Sequence, residues 1–443
     1  MKFLYNTIYL AMLLIGLPWL IWRVVVQKKN RTGWQQKLLG LAPLRSNGQP
    51  CIWIHAVSVG EVNLLPRLVA QLKEKRPEIS IAITSTTETG LELARRRFPD
   101  DLVFFCPSDF SWAINNVLDR IRPDMLVLTE LELWPNMISE TANRNIPVVL
   151  INGRISEKSF AGYRRIQFLI QGVTKKIAFA CTQTSDYRQR LMKLGMPAER
   201  IHVTGNIKFD NALPVDNPAS QSEVPLAKIA NFSDDEFVFL AGSTQENEDL
   251  LLIELFDKLR DKFPQLRLVL VPRHPDRVHR IEQQIHNLGI PYSLRSQLNI
   301  DVCRDRSDKI LIVDVIGELA QWWRLADAGF VGGSMGRRGG QNMIEPAALQ
   351  VPISFGPDTS NFKDVVALLL DGDGARRVAD KSELENFIEW TIQEKNNAAE
   401  MGRRGHEIVR AQQGAMQRTL ATLCEILSRP TERSDDSTSR NAA

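Results

Sequence analysis

Short apolar runs alternate along the chain with helix-length amphipathic stretches. In the first half of the chain the runs are CIWIHAV at residue 51, ISIAITS at 79, LVFF at 102, MLVL at 125, PVVLIN at 147 and IAFAC at 177. This alternation is typical of consecutive βα units, because a helix follows each buried strand and covers the sheet. The pattern predicts a parallel, doubly wound sheet in residues 31–210.

A second series of apolar runs follows a stretch that has no apolar periodicity. Residues 211–235 carry three prolines among polar side chains and are predicted to be an interdomain linker. The later runs predict a second domain over residues 236–428, which ends in helices from about residue 381. They are FVFLA at 237, LRLVLV at 266, KILIV at 309, AGFVGG at 328 and PISF at 352. Residues 429–443 have the composition of a disordered tail. The predicted fold class is therefore α/β, with two Rossmann-like domains.

The N-terminal segment has a different pattern. From Phe3 to Val26 it has about twenty mostly apolar residues, enough to cross ~30 Å of hydrocarbon. A signal peptide has a shorter apolar core and a cleavage site, whereas basic residues follow this run, so residues 1–30 are predicted to be a membrane anchor. The positive-inside rule then places the body in the cytoplasm. Because Pro18 is able to break the helix, a transmembrane span and an interfacial anchor both fit. The basic residues are Arg23, Lys28, Lys29 and Arg31.

Composition and charge narrow the functional classes. The 443 residues include 55 Lys and Arg against 52 Asp and Glu, and a net charge of +3 lacks the excess of a nucleic-acid-binding protein. With 44% hydrophobic and 24% charged residues, the chain is globular rather than disordered, collagen-like or multi-span. The five cysteines are far apart and form no CxxC pair, so neither a disulfide scaffold nor a zinc site is expected.

Candidate catalytic residues of the first domain lie just after its apolar runs, because ligands of open α/β sheets bind beyond the carboxyl ends of the strands. Residues 55–61 end in Glu61, a candidate general base. A first-turn acid stabilised by the helix dipole gives the same pattern. Glu130 and Glu132 follow the fourth run, where burial beside another carboxylate raises a pKa toward neutrality. Helix-start acids ahead of Pro135 are the alternative interpretation.

Two loops of the second domain have anion-binding chemistry. Ser243 lies among small and hydroxyl residues, whose backbone N–H groups are able to approach a phosphate. Arg273 and His274 follow a strand, where a guanidinium binds a phosphate or a carboxylate through paired hydrogen bonds. A surface Arg at a turn is the alternative interpretation of this pair.

The glycine-rich segment over residues 332–346 carries the densest candidate site. Gly332 and Gly333 open it, and a helix is predicted to begin near Asn342, so that glycine backbone and helix N-terminus bind an anion together. Glu345 at the helix start is placed to bind a pair of ribose hydroxyls. Neither GxGxxG nor GxxxxGK[ST] is present, which disfavours a dinucleotide fingerprint or a Walker loop. A merely flexible glycine loop is the alternative.

In this order the loops resemble the 3-deoxy-D-manno-octulosonic acid (Kdo) transferases of lipopolysaccharide biosynthesis, an inverting glycosyltransferase family with the GT-B fold. The resemblance covers about residues 1–428 and includes the N-terminal anchor. Its motifs are H-x-x-S-x-G-E at 55–61, E-x-E-x-W-P-N at 130–136, N-x-R-x-S at 152–156, GNxKFD at 205–210, PRHP at 272–275 and GGS…GGxN…EP at 332–346.

The resemblance implies a GT-B fold whose domains face each other across a cleft, and transfer of Kdo from CMP-Kdo to a hydroxyl of a lipid A precursor, a tetraacyldisaccharide 1,4′-bisphosphate, at the cytoplasmic face of the inner membrane. Glu61 matches the catalytic base and Glu130 its paired acid. Predicted acceptor-binding residues are Ser58 and Gly60. The predicted donor-binding residues are Ser243, Arg273, His274, Gly332, Gly333, Asn342 and Glu345.

The implied reaction agrees with the residues. The attacking acceptor hydroxyl must lose its proton, which requires one carboxylate within hydrogen-bond reach. CMP leaves as an anion that Arg273 and helix-start N–H groups stabilise, so no cofactor and no metal is expected. The expected partners are CMP-Kdo, the lipid A precursor and inner-membrane lipids, with no nucleic acid. Two opposing influences act on the pKa of Glu61, because a helix N-terminus lowers it whereas burial or Glu130 raises it.

The chain departs from the family pattern at a few positions. Gln341 stands where many members have His, and Gly153 where many have Ala. The segment RTGWQQKLLG after the anchor lacks the Glu-Arg pair that ends it in many relatives. Arg337 and Arg338 are a local feature that we place near the phosphate or carboxylate of the donor.

Two other functions fit the same architecture. One is a GT-B transferase that uses a UDP-sugar on a lipid-linked acceptor. The other is a catalytically silent membrane-anchored scaffold, since a fold does not prove an activity. Protection from thermal unfolding by CMP rather than UDP separates the first from the Kdo interpretation. The presence of both Glu61 and Glu130 argues against the silent scaffold.

Overall fold

The computed structural model describes residues 4–7, 9–11, 14–16, 33–212, 226–245 and 247–428. They form two compact units, one of residues up to Asp210 together with those from Gln413 on, and one of Asn211–Gln412. Each unit contains one parallel sheet of seven strands connected by helices. The predicted α/β class with two parallel sheets is confirmed.

The first sheet has the strand order β3-β2-β1-β4-β5-β6-β7, and its neighbouring strands are parallel. The chain builds β2 and β3 on one side of β1 and then crosses to form β4 on the other side. The carboxyl ends of β1 and β4 therefore border the topological switch point, where ligands of such sheets bind. The strands are β1 (Cys51–His55), β2 (Ser80–Ser85), β3 (Leu102–Phe105), β4 (Met125–Thr129), β5 (Val148–Gly153), β6 (Phe179–Thr182) and β7 (Ile201–Val203).

Three helices of the first unit follow a residue whose side chain supplies an N-cap. The side chains of Thr87, Ser156 and Thr184 each accept a backbone hydrogen bond from the first turn of the helix that follows. The helices are α1 (Trp34–Leu39), α2 (Val59–Val62), α3 (Leu65–Lys75), α4 (Glu88–Arg97), α5 (Ser111–Ile121), α6 (Pro135–Asn143), α7 (Glu157–Arg165), α8 (Gln167–Thr174), α9 (Ser185–Lys193) and α10 (Ile207–Ala212), with a 3-10 turn at Ala198–Arg200.

Both faces of the first sheet are buried. Ile52 and Ile54 of β1 pack in one hydrophobic cluster, whereas Cys51 and Trp53 pack in another. Successive side chains of a strand point to opposite faces of the sheet. A strand that is covered on both sides therefore appears in the sequence as a continuous apolar run.

The second sheet has the strand order β10-β11-β9-β8-β12-β13-β14, again with its switch point beside the first strand of the series. Its strands are β8 (Phe237–Thr244), β9 (Leu266–Pro272), β10 (Tyr292–Leu294), β11 (Ile310–Ile312), β12 (Ala328–Val331), β13 (Ile353–Phe355) and β14 (Arg376–Arg377). Its helices are α11 (Leu226–Ala230), α12 (Glu248–Leu259), α13 (Val278–Asn287), α14 (Leu319–Trp323), α15 (Ile344–Ala348), α16 (Lys363–Asp371), α17 (Lys381–Gln393) and α18 (Lys395–Ala411), with 3-10 turns at Pro275–Arg277, Arg295–Gln297 and Ser360–Phe362.

Every predicted apolar run forms a strand, whereas β7, β10 and β14 were not predicted. Each of these three lies at the edge of its sheet and is two or three residues long. In β10, with the sequence YSL, only Leu294 is buried, and both arginines of β14 are exposed. Edge strands of this kind need no apolar run, so the pattern does not indicate them.

The C-terminal helix belongs to the first unit, which differs from the predicted boundary at residue 428. Helix α19 (Ala415–Ser428) packs Met416, Leu420 and Leu423 in the hydrophobic cluster on one face of the first sheet. Both oxygens of the Asp210 carboxylate accept backbone hydrogen bonds at the start of α19, at 2.7 Å from Gly414 and 2.9 Å from Met416. The sequence shows that this helix is amphipathic but not which sheet it covers.

Part of the predicted linker is helical. Leu226 and Ile229 of α11 are buried, and Arg304, itself buried, donates to the carbonyl oxygen of Ala230 at 2.7 Å. Residues 213–225 of the linker and the predicted tail 429–443 lie outside the described residues.

The predicted anchor lies mostly outside the described residues. Residues 4–7, 9–11 and 14–16 are helical, and the hydroxyl of Tyr5 donates to the carbonyl oxygen of Leu169 at 3.1 Å. Within the described ranges, no helix combines the length and the apolar character that crossing a membrane requires.

Candidate active site

Glu61 lies at the carboxyl end of β1 and is 7% exposed. It belongs to the one-turn helix α2, for which Ser58 is the N-cap residue. Oε2 of Glu61 accepts a hydrogen bond from the backbone N–H of Val57 at 2.8 Å, and the Ser58 hydroxyl lies 3.4 Å from Oε1. Glu61 thus accepts a hydrogen bond within its own loop, as the interpretation as a helix-start acid expects. It is also a buried carboxylate at the switch point, as a candidate base should be. Gly60, predicted to contact the acceptor, is exposed beside it.

Thr129, at the end of β4, is the closest partner of this carboxylate. Its hydroxyl oxygen lies 2.5 Å from Oε2 of Glu61 and 3.0 Å from the carbonyl oxygen of His55. A hydroxyl has one proton, so Thr129 donates to one of these oxygens at a time. It donates to Glu61 when that carboxyl is ionised, and it accepts from Glu61 and donates to His55 when the carboxyl is protonated. The pair therefore accommodates both protonation states, as a general base requires.

The two opposing influences on the pKa of Glu61 resolve in favour of burial. Desolvation raises the pKa of this carboxyl above its usual value, and the neighbouring charge of Glu130 adds to the effect. Hydrogen bonds from Thr129, Val57 and Ser58 act in the opposite direction without cancelling it. A raised pKa strengthens Glu61 as a base once it is ionised.

Glu130 and Glu132 precede α6, which begins at Pro135 with no acid in its first turn, so their interpretation as helix-start acids is wrong. Glu130 has a left-handed backbone, with φ of 52°, and its Oε1 lies 3.1 Å from Nζ of Lys208. Glu132 accepts a hydrogen bond from the indole of Trp134 at 2.7 Å. Burial, together with the charge of Glu61, raises the pKa of Glu132 to about 8. Near neutral pH, Glu132 therefore holds the proton of the cluster.

Sequence reasoning left Lys208 unassigned and did not single out Thr129. Asn152, buried at the end of β5 with φ of 52°, accepts the backbone N–H of Ile207 at 3.0 Å. This contact ties the GNxKFD segment to the edge that carries Glu130. One signal in the sequence could have predicted this contact. The motifs that begin at Glu130 and at Asn152 follow consecutive apolar runs, and consecutive strands of a βα series are usually neighbours in the sheet.

Replacing Thr129 by Val is expected to lower the ionised fraction of Glu61 at a given pH. The hydrogen bond from Thr129 lowers the pKa of Glu61, so its loss raises that pKa further and moves the acid limb of the rate profile to higher pH. We expect the limb to move by about one pH unit, since a hydrogen bond to a charged group contributes about 1.5 kcal/mol or more and one pKa unit corresponds to about 1.4 kcal/mol. The measurement is the pH profile of kcat for the Thr129→Val enzyme.

Thr129→Ser is the matched control, because it keeps the hydroxyl. Its acid limb should coincide with that of the unmodified enzyme. If the Ser and Val variants lose activity equally with no shift of the limb, Thr129 acts through packing and not through Glu61.

The glycine-rich loop of the second unit is held by a buried carboxylate. Glu248, the first residue of α12, accepts backbone hydrogen bonds from Gly333 at 2.7 Å and from Ser334 and Met335 at 2.9 Å each. It also accepts the N–H of Gln245 at 2.8 Å. Both loops that were predicted to present N–H groups to a phosphate therefore direct these N–H groups to Glu248.

Gly332 and Gly333 consequently have packing roles. The N–H of Gly332 donates to the carbonyl oxygen of Gly242 at 2.9 Å, and a Cβ on Gly332 would lie 2.6 Å from Cα of Thr244. Gly333 has a positive φ of 68°. The helix predicted near Asn342 begins at Ile344 and has only five residues. The amides of Gly333, Ser334 and Met335 are thus occupied by Glu248, and donor binding by this segment remains a prediction.

Three predicted donor-binding residues do lie together. Asn342 donates from Nδ2 to Oε1 of Glu345 at 2.8 Å and accepts the N–H of Ile344 at 3.1 Å. Burial raises the pKa of Glu345, while the hydrogen bond from Asn342 and the charge of Arg273 act against the rise. Arg273 is exposed after β9, as is His274. A cation and a carboxylate are therefore close to each other at the carboxyl edge of the second sheet.

Ser243, the other predicted donor residue, has a left-handed backbone with φ of 53° near the end of β8. A non-glycine residue in this conformation stores backbone strain and is frequent at functional sites. In the described part of the chain, no group of three or more His, Cys, Asp and Glu side chains is arranged to hold a metal ion.

Solved structures with the same architecture define the fold. UDP-GlcNAc 2-epimerase from Neisseria meningitidis aligns with a TM-score of 0.57 at 15% identity, over 85% of this chain and 100% of that one. A glycosyltransferase from Rickettsia africae aligns with a TM-score of 0.55 at 13% identity, over 87% and 100%. At this identity the likeness establishes the fold alone, an α/β architecture of the GT-B type.

Sequence comparison gives the family. The family model described as 3-deoxy-D-manno-octulosonic-acid transferase matches residues 29–211, and a UDP-N-acetylglucosamine 2-epimerase model matches residues 170–304. The 3-deoxy-D-manno-octulosonic acid transferase of Haemophilus influenzae is 32% identical over 85% of this chain and 87% of its own length. That of Bordetella pertussis is 30% identical over 92% and 96%. The chain belongs to the 3-deoxy-D-manno-octulosonic acid transferase family and is a glycosyltransferase, as the motifs predicted.

Proposed function

We propose that this enzyme transfers Kdo, with inversion, from CMP-Kdo to a hydroxyl of a lipid A precursor. The observation that carries the proposal is the environment of Glu61, a buried carboxylate at the switch point of the first sheet. The Thr129 hydroxyl beside it is able to donate to the ionised carboxylate and to accept from the protonated one. In a chain of this family, such a carboxylate is the expected base for an attacking sugar hydroxyl.

In the proposed reaction the acceptor oxygen forms a bond to the anomeric carbon of Kdo, while the bond from that carbon to the phosphate oxygen of CMP breaks and leaves its electron pair on CMP. The proton of the acceptor hydroxyl passes to Glu61. Glu132 already holds a proton near neutral pH, so the cluster limits the charge around the ionised base. Lys208 offsets the charge of Glu130 in the same cluster.

The second unit supplies the donor site in this proposal. CMP-Kdo carries a phosphate and a carboxylate, which a guanidinium such as that of Arg273 binds through paired hydrogen bonds. Glu345, oriented by Asn342, is able to accept hydrogen bonds from ribose hydroxyls. Ser243 and His274 border the same strand ends. The proposal needs no metal or cofactor, since these groups stabilise the departing CMP anion.

The acceptor is proposed to reach Glu61 from the inner membrane, past Ser58 and Gly60. The apolar segment at residues 1–30 would keep the enzyme at the cytoplasmic face, and its basic neighbours fit an acceptor that carries two phosphates.

The direct test incubates detergent-solubilised enzyme with enzymatically generated CMP-Kdo and the tetraacyldisaccharide 1,4′-bisphosphate, followed by mass spectrometry of the lipid. The expected result is a mass increase of one or more Kdo units, which also counts the additions. Absence of product with CMP binding intact would contradict the acceptor, and absence of CMP binding would contradict the donor.

A UDP-sugar transferase is the second candidate, favoured by the match of residues 170–304 to a UDP-N-acetylglucosamine 2-epimerase model. Thermal unfolding with CMP or UDP separates the two, because a nucleotide that binds only the native state raises the apparent stability. We expect CMP to protect and UDP not to protect; the reverse would favour the second candidate.

A further inference from the structure

The first residues of α6 are held by a carboxylate from another βα unit. Trp134 is the N-cap residue of this helix, but its indole has only a donor and cannot accept a helix N–H group. Asp109, in the loop between β3 and α5 and only 4% exposed, supplies the acceptors. Its carboxylate accepts the backbone N–H of Asn136 at 3.0 Å and that of Met137 at 2.7 Å. Asp109 thus acts as a cap and fixes where α6 begins.

The loop before α6 contains both acidic residues of the site, Glu130 and Glu132, and is fixed at its two ends. At the first end, the N–H of Glu130 donates to the carbonyl oxygen of Ile151 in β5 at 3.0 Å. The second end is the start of α6. Because Glu132 lies between these ends, its position depends on the contacts that Asp109 makes with α6.

Asn136 connects the start of α6 to the N-terminal segment. Its side chain is fully buried, and its Nδ2 donates to the carbonyl oxygen of Asp109 at 2.5 Å and to Oδ1 of Asn6 at 3.0 Å. A side-chain amide has two N–H groups, so these two acceptors use both of them. Loss of the acceptor on Asn6 would therefore leave a buried N–H group unpaired, which costs more than a typical hydrogen bond contributes.

Asn6 also contacts the start of a second helix. Its Oδ1 accepts the backbone N–H of Ser111, the first residue of α5, at 3.1 Å, and its Nδ2 donates to the Ser111 hydroxyl at 2.7 Å. Tyr9 donates from its hydroxyl to the carboxylate of Asp109, and its ring packs edge-on against Phe110 with the ring centroids 6.2 Å apart. The helical residues near the N-terminus therefore join the starts of α5 and α6.

We propose that Asn6 is a positioning residue for Kdo transfer. Through Asn136 it fixes the start of α6, and with it the loop that contains Glu130 and Glu132. The inference rests on the proposed function, in which Glu132 holds a proton beside the ionised base. It assigns to the N-terminal residues a role in the active site, in addition to the membrane anchorage predicted for residues 1–30.

Asn6→Ala in the full-length enzyme tests this role. The lost contact frees the start of α6, and a misplacement of about 1 Å costs about 100-fold in rate, so we expect kcat to fall about 10- to 100-fold. KM for CMP-Kdo and for the lipid acceptor should change less than about twofold, because a positioning residue contacts neither substrate. A variant that is only poorly anchored would instead show a higher KM for the lipid with kcat unchanged, and this result would overturn the proposal.

Asn116→Ala is the matched control. Asn116 lies on α5, and its Nδ2 donates to the carbonyl oxygen of Leu39 at 2.7 Å, a contact that also joins two distant segments but does not involve α6. Its kcat should stay within about twofold of the unmodified rate. Equal values of kcat for the Asn6→Ala and Asn116→Ala enzymes would contradict the role of Asn6.

Amide exchange gives a second readout that needs no enzymatic activity. In the Asn6→Ala protein the amides of Asn136 and Met137 should exchange faster, while those of β1 should not change, because the effect is local. Unchanged exchange at α6 would overturn the proposal even if kcat fell. If the unmodified enzyme transfers no Kdo, faster exchange at α6 in the variant would support the link between Asn6 and α6 and contradict the proposed function instead.

Discussion

Replacing Glu61 by Gln is expected to abolish Kdo transfer while the protein still folds and binds CMP. Gln has nearly the shape of Glu but cannot take up the proton of the acceptor hydroxyl. A positioned base contributes about 10²–10⁴-fold to a rate, so we expect kcat to fall by a factor in this range. Single-turnover transfer, followed by mass spectrometry of the lipid, measures the loss.

Glu88→Gln is the matched control for this variant. Glu88 is a first-turn acid at the carboxyl end of β2, as Glu61 is at the end of β1, but it is exposed. Its removal should leave kcat within about twofold of the unmodified rate, as for a surface substitution. Retained turnover in the Glu61→Gln enzyme would exclude Glu61 as the base. Equal losses of kcat in both variants would show that the rate depends on the negative charge at a helix start and not on a proton acceptor at Glu61.

The same variant has a signature in stability. The pKa of Glu61 is raised by folding, so folding favours its protonated form. Its contribution to the free energy of unfolding is therefore most favourable below the unfolded-state pKa and is lost as the pH rises through the folded-state pKa. Glu61→Gln removes this dependence, and its stability relative to the unmodified chain should increase with pH across that range.

The sequence predicts a feature when the pattern of the surrounding segment is enough to identify it, and not when the feature depends on a contact with a distant segment. The strands that are buried on both faces have a continuous apolar run and were predicted, whereas β7, β10 and β14 have none because they are only two or three residues long and partly exposed. The partner of α19 could not be predicted, since its apolar face fits either sheet. Its contacts in the fold, such as the hydrogen bond from the N–H of Met416 to Asp210, assign it to the first unit.

The candidate site divides in the same way. Glu61 and Glu130 were predicted because each follows a strand within its own motif. Thr129, with its 2.5 Å contact to Glu61, follows the same apolar run as Glu130, but the contact of its hydroxyl with Glu61 exists only because β1 and β4 are neighbours. Glu248 was missed for a similar reason, since in sequence it is only a helix-start acid, whereas in the fold it faces a loop 85 residues later in the chain.

This role of Glu248 makes the glycine-rich loop dependent on one side chain. The carboxylate is 3% exposed, and its oxygens are shared between the N–H groups of Gln245 and Gly333 on one side and of Ser334 and Met335 on the other. A carboxylate accepts at both oxygens, whereas an amide accepts at one and donates at the other. Gln at this position therefore cannot satisfy all four N–H groups.

Glu248→Gln is expected to destabilise the second unit strongly and to lower transfer with it. Two buried N–H groups lose their acceptor and face a donor, and each unsatisfied group costs about 1–3 kcal/mol, so we expect a loss of about 2–6 kcal/mol in the free energy of unfolding. Urea unfolding with amide exchange at residues 333–335 measures it, since these amides should lose protection first. Glu254→Gln, on the exposed side of the same helix, is the control and should change the stability by less than about 0.5 kcal/mol. Equal stabilities for the two variants would contradict this role of Glu248. The backbone geometry at Gly332 and Gly333 would then be sufficient to hold the loop without the carboxylate.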